Sequence, residues 1–330
     1  MSFTSKSPRK VALVALAIGW EILPDYAHRF SPKTYSQPQL FACLVLKTFF
    51  GTDYRGIEAY LQDLPGLAEV IGLSSIPDHS TLHKAVPRLF GQAMTDRALK
   101  GTIRLMMQNA PKVKRLAVDT SGFEAHHVSR YFVQRRQRSG HPPSNTAFQT
   151  TTYRRFPKLT VAADTRTHLV LAVRASRGPG ADIRQFESVV LDAWKKADVG
   201  TVPADAGYDA EWTHQLLRND LGVRSLIAAG IGRPTAKPPT GYWRRWMRQH
   251  LHHTTYGQRR QAETVFSMIK RRLGDAVNAK TYWSQCRALN LLAVTHNIMI
   301  LLRQPQAFRR SRDDSKAPRR AADVTAVSHR

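Results

Sequence analysis

KRLAVDTSGF, residues 114–123, is where the chain changes character. Its apolar run, Leu116 to Val118, is stopped by Asp119 and a turn, the pattern of a short buried strand. Everything before it reads as helix. QPQLFACLVLKTFF, YRGIEAYLQDL, GLAEVIGL and QAMTDRALKGTIRLMMQNA carry apolar residues at helical spacing, interrupted by GTDYRG, PG and SSIPDHS. Asp78 and Ser80 read as caps for the helix STLHKAV, with Pro87 as its limit. The opening KSPRKVALVALAIGW mimics a signal peptide. No small-residue cleavage site follows, and Glu21 ends the run too soon to span a bilayer, so it reads as another helix.

Downstream of residue 114 strands alternate with helices. KLTVAADTRTHLVLAVRAS is two β-rich runs joined at DTRT, a hairpin, and ADIRQFESVVLDAWKKA is helical. GTVPADAGYDAEW is a strand ended by Asp205, WTHQLLRNDL a helix and VRSLIAAG a strand. Two helices close the unit, one holding Glu263 and one from about Cys286 to Arg303, apolar nearly all round. This order predicts an α/β fold, a mixed sheet flanked by helices and preceded by a helical N-terminal region. The expected divisions are 1–110, 111–304, and a basic, disordered tail at 305–330. The polar stretch QRRQRSGHPPSNTAFQT, with Arg135 and Arg136, is too long for a simple connector.

Charge narrows the partner. Lys and Arg number 50 against 24 Asp and Glu, a net charge of +26, which attracts polyanions and points first to nucleic acid. Two cysteines, Cys43 and Cys286, support neither a disulfide framework nor a zinc finger and fit a reduced, cytoplasmic setting. No membrane role is indicated.

Against that background, YGQRRQAETVFSMIK (256–270) stands out. From Leu221 to Gly274 there are eleven Lys and Arg, and Glu263 is the only acid. On a regular helix Arg259 lies about 40° from Glu263, and Tyr256 and Lys270 about 20°, so all four share a face. Val265, Ile269 and Leu273 fall elsewhere and can pack inward. With Asp119 and Asp205 at strand ends, three acids can meet at a sheet edge. Packed carboxylates repel unless a cation sits between them, and hard divalent ions supply that charge. Other acids read as structure: Asp164 as a turn residue, Asp182 as a helix cap, and Asp209, the rival to Asp205, as a cap for the helix near Ala210. The pairs His126-His127 and His252-His253 fit phosphate contact or solvation better than chelation. In GYWRRWMRQH, Trp243 and Trp246 fit base stacking or helix packing equally well, beside Arg244 and Arg245.

Tyr, two residues, Arg, three residues, Glu, six residues, Lys matches the Y-R-E-K signature of bacterial insertion-sequence transposases of the DDE class, at Tyr256, Arg259, Glu263 and Lys270. LAVDTSGF resembles the family's first-aspartate strand, and PADAGYDAEW its second-aspartate motif, with a Gly-Tyr pair after the acid. The resemblance covers roughly residues 38 to 303. It implies an RNase H-like catalytic core with Asp119, Asp205 and Glu263 as catalytic metal ligands for two Mg2+ ions, Mn2+ being a possible substitute. It assigns Tyr256, Arg259 and Lys270 to DNA positioning, with Arg260 as an alternative to Arg259. Arg135, Arg136, Arg244 and Arg245 are further DNA-binding candidates from their basic setting. The partners implied are double-stranded DNA, both inverted-repeat ends and target, and a second copy of the chain in a homodimer on DNA. The expected place is the bacterial cytoplasm, at the nucleoid. An RNase H-like nuclease without strand joining, and an inactive DNA-binding descendant, are the alternative functions.

Overall fold

Residues 6–107, 111–125, 155–230 and 238–303 are described in the computed structural model. The apolar run around Asp119 forms strand β1, Leu116–Gly122. It pairs antiparallel with β2, Phe156–Asp164, which pairs antiparallel with β3, Val170–Gly178. On its other side β1 pairs parallel with β4, Thr201–Ala204, followed in parallel by β5, Arg224–Ile227. The order β3-β2-β1-β4-β5 is a mixed sheet with the Asp119 strand at its centre, an RNase H-like arrangement. Asp164 closes the β2–β3 turn, accepting hydrogen bonds from Arg166 N and Thr167 N, both at 3.2 Å, which is the turn role its position predicts.

The N-terminal region is helical: α1 Pro8–Ile22, α2 Gln37–Phe49, α3 Tyr54–Asp63, α4 Pro65–Ile71, α5 His79–Leu89 and α6 Gln92–Met107. Asp78 is the N-cap of α5, accepting from Ser80 N at 2.7 Å. Pro87 does not limit α5, which runs on to Leu89. A helical proline loses its i−4 bond and crowds the i−4 carbonyl, and the buried Leu82, Ala85, Val86 and Leu89 hold the last turn in place against that cost. Beyond β3 follow α7 Phe186–Trp194, α8 Glu211–Gln215 with a π turn over Leu216–Asp220, α9 Tyr242–His250, α10 His253–Tyr256, α11 Arg260–Leu273 and α12 Tyr282–Leu301.

Strand alternation decides which face each residue meets. Val118 and the facing Ala204 belong to one core, with Phe186, Val189 and Val190 of α7. Leu159 and Val161 belong to the other, with α1, α2, α5, α11 and α12. The N-terminal helices and the sheet therefore share a continuous hydrophobic core across residue 110. Buried α12 is pinned at Asn297, which accepts from Val170 N at 2.8 Å and donates to Val170 O at 2.7 Å and Thr102 Oγ1 at 2.9 Å. Cys43 and Cys286 are both free thiols, and burial pushes Cys43 up to about 12, so it is inert. Among the described residues no helix is long and apolar enough to cross a membrane.

Candidate active site

Val118 faces Ala204 in the parallel β1–β4 pair, so Asp119 and Asp205 are the next residue on neighbouring strands. Their partners point into the α7 core, and alternation turns the two acids to the opposite side, where α11 lies. Ala262, Val265, Phe266, Ile269 and Leu273 hold α11 against the Leu159–Val161 face, leaving Glu263 outward near the strand ends. Asp205 and Glu263 have side chains 53% and 54% exposed, accessible to a ligand, while Asp119 is half-buried.

Electrostatics ties the three together. Burial pushes the Asp119 carboxyl up to about 6; the Thr120 backbone N–H opposes this, and the like charges of Glu263, Asp205 and Asp182 add to it. One guanidinium nitrogen, Arg259 Nη1, lies 2.9 Å from Glu263 Oε1 and 3.7 Å from Asp205 Oδ1. Those two oxygens are therefore no farther apart than the sum of the contacts. Asp205 and Glu263 flank one side-chain cation, and Asp119, on the adjoining strand, feels both of their charges; carboxylates grouped in this way are donors of the kind a hard divalent ion takes. They do not close as tightly as Glu58, Asp78 and His79, whose ligand atoms lie within 4.8 Å of one another. That second group is occupied in folding: Asp78 caps α5, and Glu58 accepts from His79 N at 2.9 Å and contacts Nδ1 at 3.1 Å.

The helix around Glu263 is not one continuous α-helix from Tyr256. α10 ends at Tyr256, Gly257–Arg259 is a 3-10 turn, and α11 starts at Arg260. The tighter turn changes the angular spacing that a regular helix predicts. Contact survives all the same: Arg259 lies 5.5 Å from the centre of the Tyr256 ring and bonds Glu263. Lys270 donates to Gly122 O at 2.7 Å, fastening α11 to the end of β1, and sits 5.1 Å from the centre of the Phe123 ring.

Behind the acids lies a support that motif reading missed. Thr120, on the face opposite Asp119, hydrogen-bonds Thr160 directly across the β1–β2 pair at 2.7 Å and the Tyr208 hydroxyl at 2.8 Å. Tyr208 is buried, so the aromatic residue after Asp205 joins the second acid's turn to the first acid's strand. Asp182 is not the cap of its helical turn; Ala181 is, and the Asp182 carboxylate pairs with Lys158 of β2. The only signal available for this pair was the coincidence of charges.

Asp209 does not cap the helix that follows it, because Ala210 holds that position; it closes the 3-10 turn Ala206–Tyr208 instead. Its side chain is 1% exposed and receives Arg244 Nη2 at 2.7 Å, Gly230 N at 2.6 Å and His214 Nε2 at 3.4 Å. Arg244 is thus committed to a buried acid rather than pointing freely to solvent. Glu211 accepts from Trp243 N at 3.0 Å and Arg244 N at 3.2 Å, closing the start of α9; Gly241 precedes it at φ 97°, where a Cβ would collide with the Glu211 carboxylate. Arg218 lies over the rings of both Trp243 and Trp246, at 4.7 and 4.6 Å from their centres. Arg245 and Arg260 are exposed. His252 caps α10 through Thr255 N at 3.3 Å. Arg135, Arg136, His126 and His127, the 134–150 stretch and the tail lie outside the described residues.

Residues 112–298, more than half of the chain, match the family model described as a transposase DDE domain. Comparison with curated proteins returns no match. The matched span includes β1 through most of α12, and with them all three acids.

Proposed function

Since the chain belongs to the family of transposase DDE domains, we propose that Asp119, Asp205 and Glu263 are its catalytic metal ligands, and that it cuts DNA at insertion-sequence ends and joins the 3′-hydroxyls to target DNA. The single observation that supports this reading is that Asp205 and Glu263 share Arg259 while Asp119, on the adjoining strand, feels the charge of both. Divalent ions held there, Mg2+ or Mn2+ and two in number, would supply charge for the phosphate and acidify a bound water.

The chain's own residues do the rest. Asp119 is held in line by the Thr120–Tyr208–Thr160 ladder. Arg259 offers paired donors to a phosphate once its carboxylates have another cation, and Tyr256 flanks it. Lys270 places a point charge at the end of β1, and exposed Arg260 and Arg245 add to the positive surface. Arg135 and Arg136 are proposed as further DNA contacts by charge alone. Arg244 is assigned instead to holding Asp209. Holding both ends of an element requires two copies, so the working form on DNA is a homodimer, acting at the bacterial nucleoid.

A labelled duplex carrying one terminal repeat, incubated with protein and Mg2+, should be cut by the wild type. Asp119→Ala should still bind it and leave it uncut. Normal cutting by that variant would refute the assignment. A pre-cut end that is never joined to a second duplex would favour a nuclease without strand transfer, and binding with no product at all a non-catalytic descendant.

A further inference from the structure

A cleft of about 710 Å³ opens between α2, α5, the segment after α11 and the start of α12. Its lining carries Lys47, Lys280 and Arg287 beside His83, with the hydroxyls of Tyr54 and Thr281 among them. The one acid in its wall, Asp53, caps α3, accepting from Gly56 N at 2.7 Å, and its charge also reaches Lys47. Among the described residues no carboxylate lies within ion-pairing distance of Lys47, Lys280 or Arg287. Lys47 rests instead over the Tyr54 ring at 4.9 Å, and that ring meets His83 edge-on at 5.3 Å. Elsewhere in this chain cations such as Arg174, Lys196 and Arg244 are matched to acids. Lys280 and Arg287 at the opening, with Lys47 deeper in the wall and balanced in part by Asp53, leave this cleft with an excess of positive charge that suits an anion.

Its place relative to the acids identifies the anion. The floor includes Leu273, the last residue of α11, the helix that carries Glu263 and Lys270. Ten residues of α-helix advance about 15 Å. Phosphates along one strand of a duplex advance about 3.4 Å per step, so a duplex lying along α11 would bring the cleft about four or five steps from a phosphate held at Glu263.

We propose that this cleft is a second DNA-backbone site that grips the duplex flanking the scissile phosphate. The inference rests on the reading that the three-acid site takes a DNA phosphate.

The test is fluorescence anisotropy with a labelled duplex carrying one terminal repeat, over a range of salt, for wild type and Lys280→Gln/Arg287→Gln. Both positions are on the surface side of the cleft, and an unchanged thermal melt would show that the variant folds. Losing two phosphate contacts should flatten the slope of log affinity against log salt by about two. Single methylphosphonates placed along the duplex locate the contact: a neutral phosphate about four or five steps from the cut should weaken the wild type and leave the variant unaffected. An unchanged slope overturns the proposal, as does a position effect that persists in the variant. Protection of the wild type but not the variant by inorganic phosphate, with equal DNA slopes, would make the cleft a small-anion site and also overturn it. Failure of Mg2+-dependent cutting would count against the catalytic reading alone, because the salt slopes judge the cleft separately.

Discussion

Asp119 is destabilising in the metal-free protein, and removing its charge should show how much. Its carboxyl is pushed up from an ordinary 3.8 to about 6, by burial first and by Glu263, Asp205 and Asp182 after that. Between those two values the native state holds a proton that the unfolded chain has released. Stability therefore falls as pH rises through this window. A difference of about two pH units corresponds to about 3 kcal/mol, absent below about pH 4 and fully developed above about pH 6. Asp119→Asn keeps the shape and cannot ionise. In urea unfolding with EDTA, the variant should gain about 3 kcal/mol on the wild type at neutral pH relative to acid pH. Differences intrinsic to Asn are the same at both pH values and cancel in that comparison. Saturating Mg2+ should erase the advantage by supplying the missing charge to the wild type alone. A gap that does not change with pH, or that widens in acid, would refute the account of the site as mutually repelling acids. The same variant should lose Mg2+-dependent cutting, a direct trade of stability for function.

Two further outcomes follow from the same contacts. Arg259→Gln removes the side-chain cation between Asp205 and Glu263; these exposed pairs contribute at most about 1 kcal/mol, so Mn2+ binding without DNA should tighten by up to about fivefold in calorimetry while cutting falls. Weaker Mn2+ binding would show that Arg259 builds the ion site rather than competing for it. Arg244→Ala strips the main partner from buried Asp209 and should cost about 3 kcal/mol while leaving the salt dependence of DNA binding unchanged. Despite burial, which acts the other way, His214 and Arg244 hold Asp209 down at about 2, so the wild type's advantage is complete above about pH 4 and is lost as pH falls towards 2. A flattened salt slope in this variant would return Arg244 to the DNA.

Periodicity made the layers legible, because burial on one face leaves a repeating apolar pattern in helices and strands alike. It identified β1, the β2–β3 hairpin and α12, apolar nearly all round. Strand ends are legible too: Asp119 and Asp205 interrupt apolar runs where the chain must turn. Contacts between segments remote in sequence leave no such trace. Nothing periodic joins Asp209 to Arg244, or Lys158 to Asp182, or Tyr208 to Thr120. The spacing of Tyr256, Arg259, Glu263 and Lys270 suits a regular helix, yet the 3-10 turn at Gly257–Arg259 intervenes. A backbone irregularity of three residues is too local for a hydrophobic pattern to register.

The shared core has a mechanical consequence. Val11, Phe41 and Leu82 pack in the same apolar cluster as Val161, Val265 and Leu292, so the N-terminal layer cannot swing as a separate lobe without exposing that interior. Any duplex gripped by those helices would be held at a set offset from the acids. On the proposed function, the spacing between that grip and the cut would be set by the protein as by a ruler.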